Sequence, residues 1–283
     1  MSRPMARTSP TPTATESGRP LGRADVELVA RGLAATRSAA QRLIADGAVS
    51  RADGTRIDRA SQQVGPLDEL RVAESDETRF VSRAGAKLAH ALAEAGVDPT
   101  GRTVLDLGMS TGGFADCLLQ SGAARVVGIE VGHGQLHPRL RGDPRVHCVE
   151  RLNVRDATPE RLAASVPDAP PDGFDMAVAD LSFISLAKVL PAADALLAPG
   201  ATVLLLVKPQ FELGPSALDG RGIVTDAAGP ARASAHVADA CRALGWAVHR
   251  AFDSALPGGD GNRESFLHAS VPAARPPRTR IPR

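Results

Sequence analysis

The sequence predicts an α/β chain in which a small α+β unit precedes a doubly wound, mostly parallel sheet. Three observations predict it. From residue 102 onward, short apolar runs alternate with helical patterns, as in repeated βαβ units. The run Ala201–Lys208 is apolar at nearly every position, which is typical of a strand buried on both faces. The last two runs, 246–254 and 265–271, have only a loop between them, which predicts a terminal antiparallel hairpin.

The composition is that of a soluble globular protein with one large and one small domain. The chain has 283 residues, of which 43% are hydrophobic and 23% charged, and a net charge of +1. This balance excludes a uniformly basic nucleic-acid coat but permits a local basic face. No apolar run approaches the length of a membrane span, and no secretory signal is recognisable. We therefore expect a cytoplasmic protein with no membrane partner.

The three cysteines and the three lysines each carry information. Cys117, Cys148 and Cys241 lie far apart and form no C-x-x-C pair, which argues against a zinc site or a disulfide scaffold. We therefore expect no metal. Lysine occurs only three times among 33 lysines and arginines, at Lys87, Lys188 and Lys208. Codon bias explains the excess of arginine, but lysine can become a neutral amine and arginine cannot, so some of the three are candidates for chemistry.

Five segments are predicted. Residues 1–22 are rich in Pro, Ser, Thr, Gly and Arg and are expected to be a disordered tail, and residues 272–283 a basic tail. Residues 23–73 form the small unit, residues 74–85 a linker, and residues 86–271 the large domain.

The small unit is predicted to contain two helices and two short strands. The first helix falls within 23–33, and the second follows Thr36, a plausible N-cap, and stops at Gly47. The strands fall within 48–57 and 69–75. Arginines are frequent here, and Arg23, Arg37 and Arg42 are candidate RNA contacts because guanidinium groups fit phosphate geometry. A solvated charged face explains the same arginines equally well.

The order of these features resembles the S-four-type RNA-binding domain of ribosomal proteins. The resemblance rests on Arg23-x-Asp25, Gly32-Leu33-Ala34-x-x-Arg37-x-x-Ala40 and Ile44-x-x-Gly47-x-Val49. It implies a domain that binds structured RNA. The Asn-Gly usual after the valine is replaced here by a looser loop containing Asp53-Gly54.

The large domain is predicted to begin with a helix at Ala86–Ala95, whose first turn carries Lys87. Strands follow at 103–108, 125–131, 145–150, 174–181, 201–208, 246–254 and 265–271, and helices at 113–122, 186–200 and 233–245. Sheets of this type bind ligands at the carboxyl ends of their strands, so candidate site residues are expected at the strand exits.

The first two strand exits indicate an adenosine-type cofactor. The first strand ends in a glycine-containing turn, where close backbone approach to a ligand is possible. Glu130, at the end of the second strand, can accept hydrogen bonds from ribose hydroxyls. The turn is neither G-x-G-x-x-G nor a P-loop, which favours S-adenosylmethionine over a dinucleotide. The candidate cofactor residues are Asp106, Gly108, Ser110, Thr111, Gly112, Gly113, Phe114, Glu130, Asn153 and Asp180.

Three further side chains are expected at the same edge of the sheet. Asp180 and Lys208 follow the fourth and fifth strands, and Glu264 ends the loop of the terminal hairpin. Lys208 follows a fully apolar strand, where an ammonium group is poorly hydrated. An ordinary strand-end cation is the alternative, but the scarcity of lysine favours function. Lys188 is expected at the surface of a helix.

Six motifs occur together in this chain: Phe80–Leu88, Asp106–Phe114, Val131–Leu136, Asp180–Leu186, Val207–Glu212 and Gly261–Glu264. Together they resemble the TlyA family, which joins an S-four-type domain to an FtsJ-like methyltransferase domain. The resemblance implies methyl transfer from S-adenosylmethionine to a ribose 2′-hydroxyl, expected on cytidine, of ribosomal RNA within ribosomal subunits. It assigns the family's catalytic tetrad to Lys87, Asp180, Lys208 and Glu264.

Three departures from the family pattern and three rival functions accompany this prediction. His133 stands where the family usually has Tyr, Glu130 where it has Asp, and the loop 213–222 lacks the usual lysines. The first rival is an RNA-binding ribosome-assembly factor with an inactive methyltransferase domain. A membrane-active haemolysin is disfavoured by the absence of a spanning segment, and a dinucleotide-dependent oxidoreductase by the absence of G-x-G-x-x-G.

Overall fold

The chain forms two compact units, residues 1–79 and 80–283, in a computed structural model. The structure describes residues 6–8, 21–34, 36–45, 47–73 and 79–274. Most of the two predicted tails, and residues 74–78 of the predicted linker, lie outside this range.

Among its described residues, the first unit contains two helices and five short strands. The helices are α1 (Ala24–Ala30) and α2 (Arg37–Ala45), and the strands are β1 (Ala6–Thr8), β2 (Gly22–Arg23), β3 (Val49–Arg51), β4 (Gln63–Val64) and β5 (Leu70–Ala73). The predicted Thr36 cap is confirmed, because its Oγ1 accepts a hydrogen bond from the Ala39 N–H at 3.2 Å. β3 and β5 pair antiparallel, and β1 pairs with the other edge of β5.

Strand β1 corrects the expectation of disorder for residues 6–8. The first unit would otherwise leave one edge of β5 with unpaired backbone groups, and Ala6–Thr8 pair with that edge from Ala73 to Arg71. Composition indicated disorder because it does not register backbone pairing to a distant strand. A small core of buried apolar residues, including Leu28, Ile44 and Val72, lies between the helices and strands.

The second unit contains a seven-stranded sheet with helices on both faces, which confirms the predicted fold class. Its strands are β6 (Thr103–Leu107), β7 (Arg125–Glu130), β8 (Val146–Glu150), β9 (Phe174–Ala179), β10 (Leu197–Val207), β11 (Ala247–Asp253) and β12 (Ser265–Ser270). The spatial order is β11-β12-β10-β9-β6-β7-β8. All neighbours are parallel except β12, which is antiparallel to both β10 and β11.

Helices cover both faces of this sheet. They are α3 (Arg83–Ala95), α4 (Gly113–Gln120), α5 (Pro138–Arg141), α6 (Pro159–Ser165), α7 (Leu190–Leu196), α8 (Pro209–Glu212) and α9 (Gly229–Ala243). α5, α6 and α8 were not expected, because four to seven residues are too few for a clear helical period. Two apolar clusters form the core, one on each side of the sheet.

Several predicted boundaries are wrong in instructive ways. α3 begins at Arg83 rather than Ala86, so Lys87 lies in its second turn. The helix expected over 186–200 is a 3₁₀ turn, Leu186–Lys188, followed by α7 with Pro191 in its first turn. β10 begins at Leu197, and its register with β9 shifts between Leu197 and Thr202. Pro199 and Gly200 lie within this irregularity, where proline has no N–H to donate to a ladder.

Candidate active site

The carboxyl ends of β6, β7 and β9 surround a cavity of about 500 Å³. Five of the predicted cofactor residues lie in its wall, namely Gly108, Ser110, Glu130, Asn153 and Asp180. The remaining five do not line the cavity, namely Asp106, Thr111, Gly112, Gly113 and Phe114. The strand-exit rule therefore located the cavity, whereas sequence adjacency assigned it more loop residues than reach it.

The turn after β6 contains a glycine where it lies against Asp180, the residue that follows β9. Gly108 has φ +90°, and a Cβ there would lie 2.8 Å from the Asp180 carbonyl oxygen. A side chain at this position would therefore collide with backbone, in a conformation that L-residues rarely adopt. Gly113 instead serves helix packing, because a Cβ there would lie 3.0 Å from the Ala84 Cβ and 3.2 Å from the Gly85 backbone nitrogen of α3. Phe114 is a core residue, with its ring centroid 6.2 Å from that of Phe266.

Glu130 joins the two loops that border the cavity. Its Oε2 accepts a hydrogen bond from the Ser110 N–H at 2.9 Å, and its Oε1 accepts one from the Gly132 N–H at 2.7 Å. Ser110 has φ 47°, and its hydroxyl oxygen lies 3.1 Å from Gln135 Oε1. Each carboxylate oxygen can accept a second hydrogen bond, so Glu130 remains a suitable acceptor for ribose hydroxyls.

Asp106 is the most unusual group in the site. It is fully buried at the end of β6, and neither carboxylate oxygen accepts a hydrogen bond from any residue that the structure describes. Burial, with the neighbouring Asp180 and Glu130 carboxylates, raises the pKa of Asp106 well above its usual range. An unpartnered buried carboxylate between two others is costly, and a positive charge nearby would stabilise it.

The four residues of the predicted tetrad form two lysine–carboxylate pairs. Lys208 Nζ lies 2.6 Å from Asp180 Oδ1 and donates a hydrogen bond to Ser182 Oγ at 3.0 Å. Lys87 Nζ, reaching from α3, donates to Glu264 Oε2 at 2.5 Å. Their side chains are largely buried, with exposures of 9% and 2% for Lys87 and Glu264, and 13% and 19% for Lys208 and Asp180.

Sheet topology brings the two pairs to the same edge. Val207, the last residue of β10, pairs with Ser265, the first residue of β12. Lys208, which follows β10, therefore lies opposite Glu264, which precedes β12. β9 pairs with the other side of β10, so Asp180 leaves the sheet next to Lys208. Lys188 is exposed on its 3₁₀ turn, as expected.

An exposed aromatic side chain borders the cavity, and its prominence was not predicted. Phe183 is 91% exposed and has φ 64°, which is unfavourable for an aromatic residue. Its ring packs only partly, at 5.3 Å between centroids against Phe211. The sequence included Phe183 in a motif, but no periodicity distinguishes an exposed phenylalanine from a core one.

The three candidate RNA-contact arginines of the first unit have different surroundings. Arg23 and Arg37 both bind the buried carboxylate of Asp25, with Nε–Oδ distances of 3.0 and 2.8 Å. Arg42 is exposed and forms no ion pair with the residues that the structure describes. Arg23 and Arg37 therefore have a structural role, although 42% and 57% of their side chains remain accessible.

Two negative findings apply to the part of the chain that the structure describes. No helix there combines the length and the apolarity needed to cross a membrane. No cluster of three or more His, Cys, Asp or Glu side chains there has an arrangement that could hold a metal ion.

The fold and the site together define a Rossmann-like methyltransferase: a doubly wound sheet with a terminal antiparallel hairpin, a glycine turn after β6, an acidic residue at the end of β7 and two lysine–carboxylate pairs. The model of the FtsJ-like methyltransferase family matches residues 80–271, and the S4 domain model matches residues 22–70. The chain belongs to the TlyA family, in which an S4 domain precedes an FtsJ-like methyltransferase domain.

Individual relatives have the same arrangement over most of their length. The chain is 44% identical to the 16S/23S rRNA (cytidine-2′-O)-methyltransferase TlyA of Mycobacterium tuberculosis over 245 residues, 87% of this chain and 88% of that protein. It is 33% identical to the 23S rRNA (cytidine-2′-O)-methyltransferase TlyA of Campylobacter jejuni, over 67% and 70% of the two chains. A solved Streptococcus thermophilus protein described as a hemolysin is 35% identical, with a TM-score of 0.68 and 89% of each chain covered.

Proposed function

We propose that this enzyme transfers a methyl group from S-adenosylmethionine to the ribose 2′-hydroxyl of a cytidine in ribosomal RNA, within a ribosomal subunit. The observation that carries the proposal is the pair of buried lysine–carboxylate contacts at neighbouring strand ends, Lys208–Asp180 and Lys87–Glu264. The names of the mycobacterial and Campylobacter relatives support the choice of cytidine and of ribosomal RNA. A ribosomal substrate also implies work in the cytoplasm.

The residues around the cavity fit a cationic nucleoside cofactor. S-adenosylmethionine carries positive charge on its sulfonium and ammonium groups, and when bound it supplies an electrophilic methyl group. The cavity wall includes the carboxylates of Glu130 and Asp180, and the unpartnered Asp106 carboxylate lies close enough to both to be affected by their charge. Glu130 is the proposed acceptor for the cofactor's ribose hydroxyls, and Gly108 lies in the wall of the same cavity.

The tetrad fits the chemistry that a ribose hydroxyl requires. Such a hydroxyl is a poor nucleophile near neutral pH and must be oriented in line while its proton leaves. Lys208 is fixed by Asp180 and Ser182, so its amine is positioned either to orient the hydroxyl or, as a neutral amine, to accept its proton. Lys87, fixed by Glu264, is the proposed holder of the substrate ribose or phosphate.

Two regions are proposed to recognise the RNA. Phe183 offers an exposed aromatic face beside the tetrad, on which an unstacked base can stack. The S4 domain contributes Arg42 and the accessible portions of Arg23 and Arg37, which suit backbone phosphates. Shape and phosphate contacts thus select the RNA, and the tetrad selects the hydroxyl.

Transfer of tritiated methyl groups tests this function directly. The purified chain is incubated with labelled S-adenosylmethionine and unmodified small subunits, large subunits or free ribosomal RNA, and the product is mapped for 2′-O-methylcytidine. We expect label on at least one intact subunit, at a cytidine ribose. Label on a base, or no label on any RNA despite cofactor binding, would contradict the proposal, and the latter outcome would identify an inactive RNA-binding assembly factor.

A further inference from the structure

Two segments that follow neighbouring strands are joined along their length. The first, residues 180–186, follows β9 and is here called the aspartate loop; the second, residues 208–212, follows β10 and includes α8. Lys208 contacts Asp180 and Ser182 at one end. In the middle the Phe183 and Phe211 rings are in contact. At the other end Glu212 accepts hydrogen bonds from Ser185 and Leu186, the last two residues of the aspartate loop.

Glu212 anchors the far end through both carboxylate oxygens. The Ser185 hydroxyl donates to Oε2 at 2.6 Å, and the Leu186 N–H donates to Oε1 at 2.7 Å. Leu186 begins a three-residue 3₁₀ turn whose preceding residue, Ser185, makes no side-chain cap of its own. Glu212 therefore caps that turn from a different segment of the chain, by accepting two hydrogen bonds on its side-chain oxygens.

Few backbone hydrogen bonds hold the aspartate loop, although the Leu181 and Ile184 side chains pack partly against the core. Among the described residues, no backbone N–H from 181 to 185 donates a hydrogen bond, although the Asp180 N–H donates to Leu107 O at 3.1 Å. Within this span Phe183 adopts its unfavourable positive φ with an exposed ring. Such a conformation persists only where the surroundings enforce it, and Glu212 supplies an anchor at the C-terminal end of the loop.

We propose that Glu212 is a positioning residue, which fixes the aspartate loop so that Asp180 stays against Lys208 and Phe183 stays directed to solvent. The proposal deepens the proposed function and rests on it. It assigns Glu212 no contact with the substrate: the residue acts through the loop that carries Asp180 and Phe183. A displaced loop misorients the reacting hydroxyl, so the chemical step suffers more than cofactor binding does.

The test compares Glu212→Ala with Glu212→Gln. A glutamine can keep both contacts, because its amide oxygen accepts from the Leu186 N–H while its amide nitrogen donates to Ser185 Oγ. We expect Glu212→Ala to lower kcat between about 10- and 100-fold and to raise the Kd for S-adenosylmethionine by a smaller factor, because residues 180–184 also line the proposed cofactor cavity. Glu212→Gln should recover most of the turnover. Hydrogen exchange of a peptide covering residues 181–189 should accelerate in Glu212→Ala but not in Glu212→Gln.

A matched control is Glu94→Ala, which removes another glutamate and its ion pair. Glu94 Oε1 lies 3.1 Å from an Arg250 guanidinium nitrogen, on α3 and away from the aspartate loop. This variant should retain wild-type kcat and exchange at 181–189. Failure of the proposed function shows as a wild-type chain that transfers no methyl group. Failure of the present inference shows as an active wild type whose kcat or loop exchange is unchanged in Glu212→Ala, or whose Glu212→Gln variant is as slow as Glu212→Ala.

Discussion

Two fully buried aspartates, one in each unit, have opposite surroundings. Asp25 in α1 accepts hydrogen bonds from Arg23, Arg37 and Gln41 at distances from 2.8 to 3.1 Å. Asp106 at the end of β6 accepts none from the residues that the structure describes. Both side chains have 0% exposure, so burial alone does not distinguish them.

The pKa values of the two groups shift in opposite directions for this reason. The hydrogen bond from Arg23, with those from Gln41 and Arg37, holds the pKa of Asp25 well below its usual range despite the opposing effect of burial. Burial, which no donor among the described residues relieves and which two neighbouring carboxylates reinforce, raises the pKa of Asp106. A satisfied buried carboxylate indicates a structural role, whereas an unsatisfied one next to the carboxylates of a cavity wall is a group that a bound cation can stabilise.

The largest expected effect comes from replacing Lys208 by arginine, the residue type that binds Asp25 in the first unit. In Lys208→Arg, the guanidinium can still pair with Asp180 but cannot become neutral and has a different shape. We expect a loss of at least about 100-fold in kcat. Cofactor affinity should stay close to wild type. Single-turnover methyl transfer and calorimetric cofactor binding measure the two quantities.

Lys188→Arg is the matched control for this substitution. Lys188 is exposed on the neighbouring 3₁₀ turn, so arginine there should preserve turnover. Near-normal turnover by Lys208→Arg would show that arginine can replace lysine beside Asp180. That result would contradict the role assigned to Lys208.

A second substitution tests the structural side of the comparison. Asp25→Ala removes the acceptor of three side chains, of which Arg23 and Arg37 remain accessible to water. We expect the first unit to lose about 2 to 3 kcal/mol of stability. Faster hydrogen exchange across residues 24–45 measures the loss, and exchange across 103–130 serves as the internal control.

The acid dependence of this stability has a definite sign. Because the folded-state pKa of Asp25 is lowered, its stabilisation is present above the unfolded pKa of about 4 and is lost as the pH falls below it. Asp25→Ala should therefore flatten the acid side of the exchange profile for residues 24–45. An unchanged profile would mean that Asp25 is not the group that stabilises this unit.

The smallest effect concerns Asp106, for which folding stability changes with pH in the opposite direction to that expected for Asp25. Its folded-state pKa is raised, so the native state binds the extra proton, and the free energy of unfolding falls as the pH rises above about 4. Asp106→Asn should remove this part of the pH dependence in the cofactor-free chain. Urea unfolding monitored by circular dichroism between pH 4 and pH 8 measures it.

The pH dependence of cofactor affinity is a more specific test of Asp106. Positive charge favours ionised Asp106, so the affinity of the wild type for S-adenosylmethionine should rise with pH as the carboxyl group loses its proton. In Asp106→Asn the affinity should be about tenfold weaker at neutral pH and nearly independent of pH. S-adenosylhomocysteine, which lacks the sulfonium charge, should depend less on pH in the wild type. If the affinity for S-adenosylmethionine depends equally on pH in wild type and Asp106→Asn, Asp106 does not influence cofactor binding.

Much of the fold and part of the site could be predicted because they depend on local pattern. The apolar run of β10 identified a central strand, and the helix-free connection after β11 identified the terminal hairpin. Strand exits then placed Asp180, Lys208 and Glu264 at one edge, since parallel strands end together. The scarcity of lysine favoured a function for Lys208, and the family resemblance added Lys87; both contact carboxylates at that edge.

Other features depended on contacts that the sequence does not encode locally. Gly113 and Phe114 belong to the glycine motif, yet Gly113 lies against Gly85 of α3 and the Phe114 ring lies in the core. The arginines that suggested RNA contacts include two that bind Asp25. Composition shows how many charges a segment has, but not which of them are paired.

The sequence by itself determined the two-unit order, the strand alternation and the residue types available for chemistry, because these follow from periodicity and turn chemistry along the chain. Only the tertiary structure decided which buried charges are satisfied, because hydrogen bonding and desolvation depend on neighbours distant in the chain. It separated Asp25 from Asp106, paired Lys87 with Glu264 across 177 positions, and placed Glu212 against the aspartate loop.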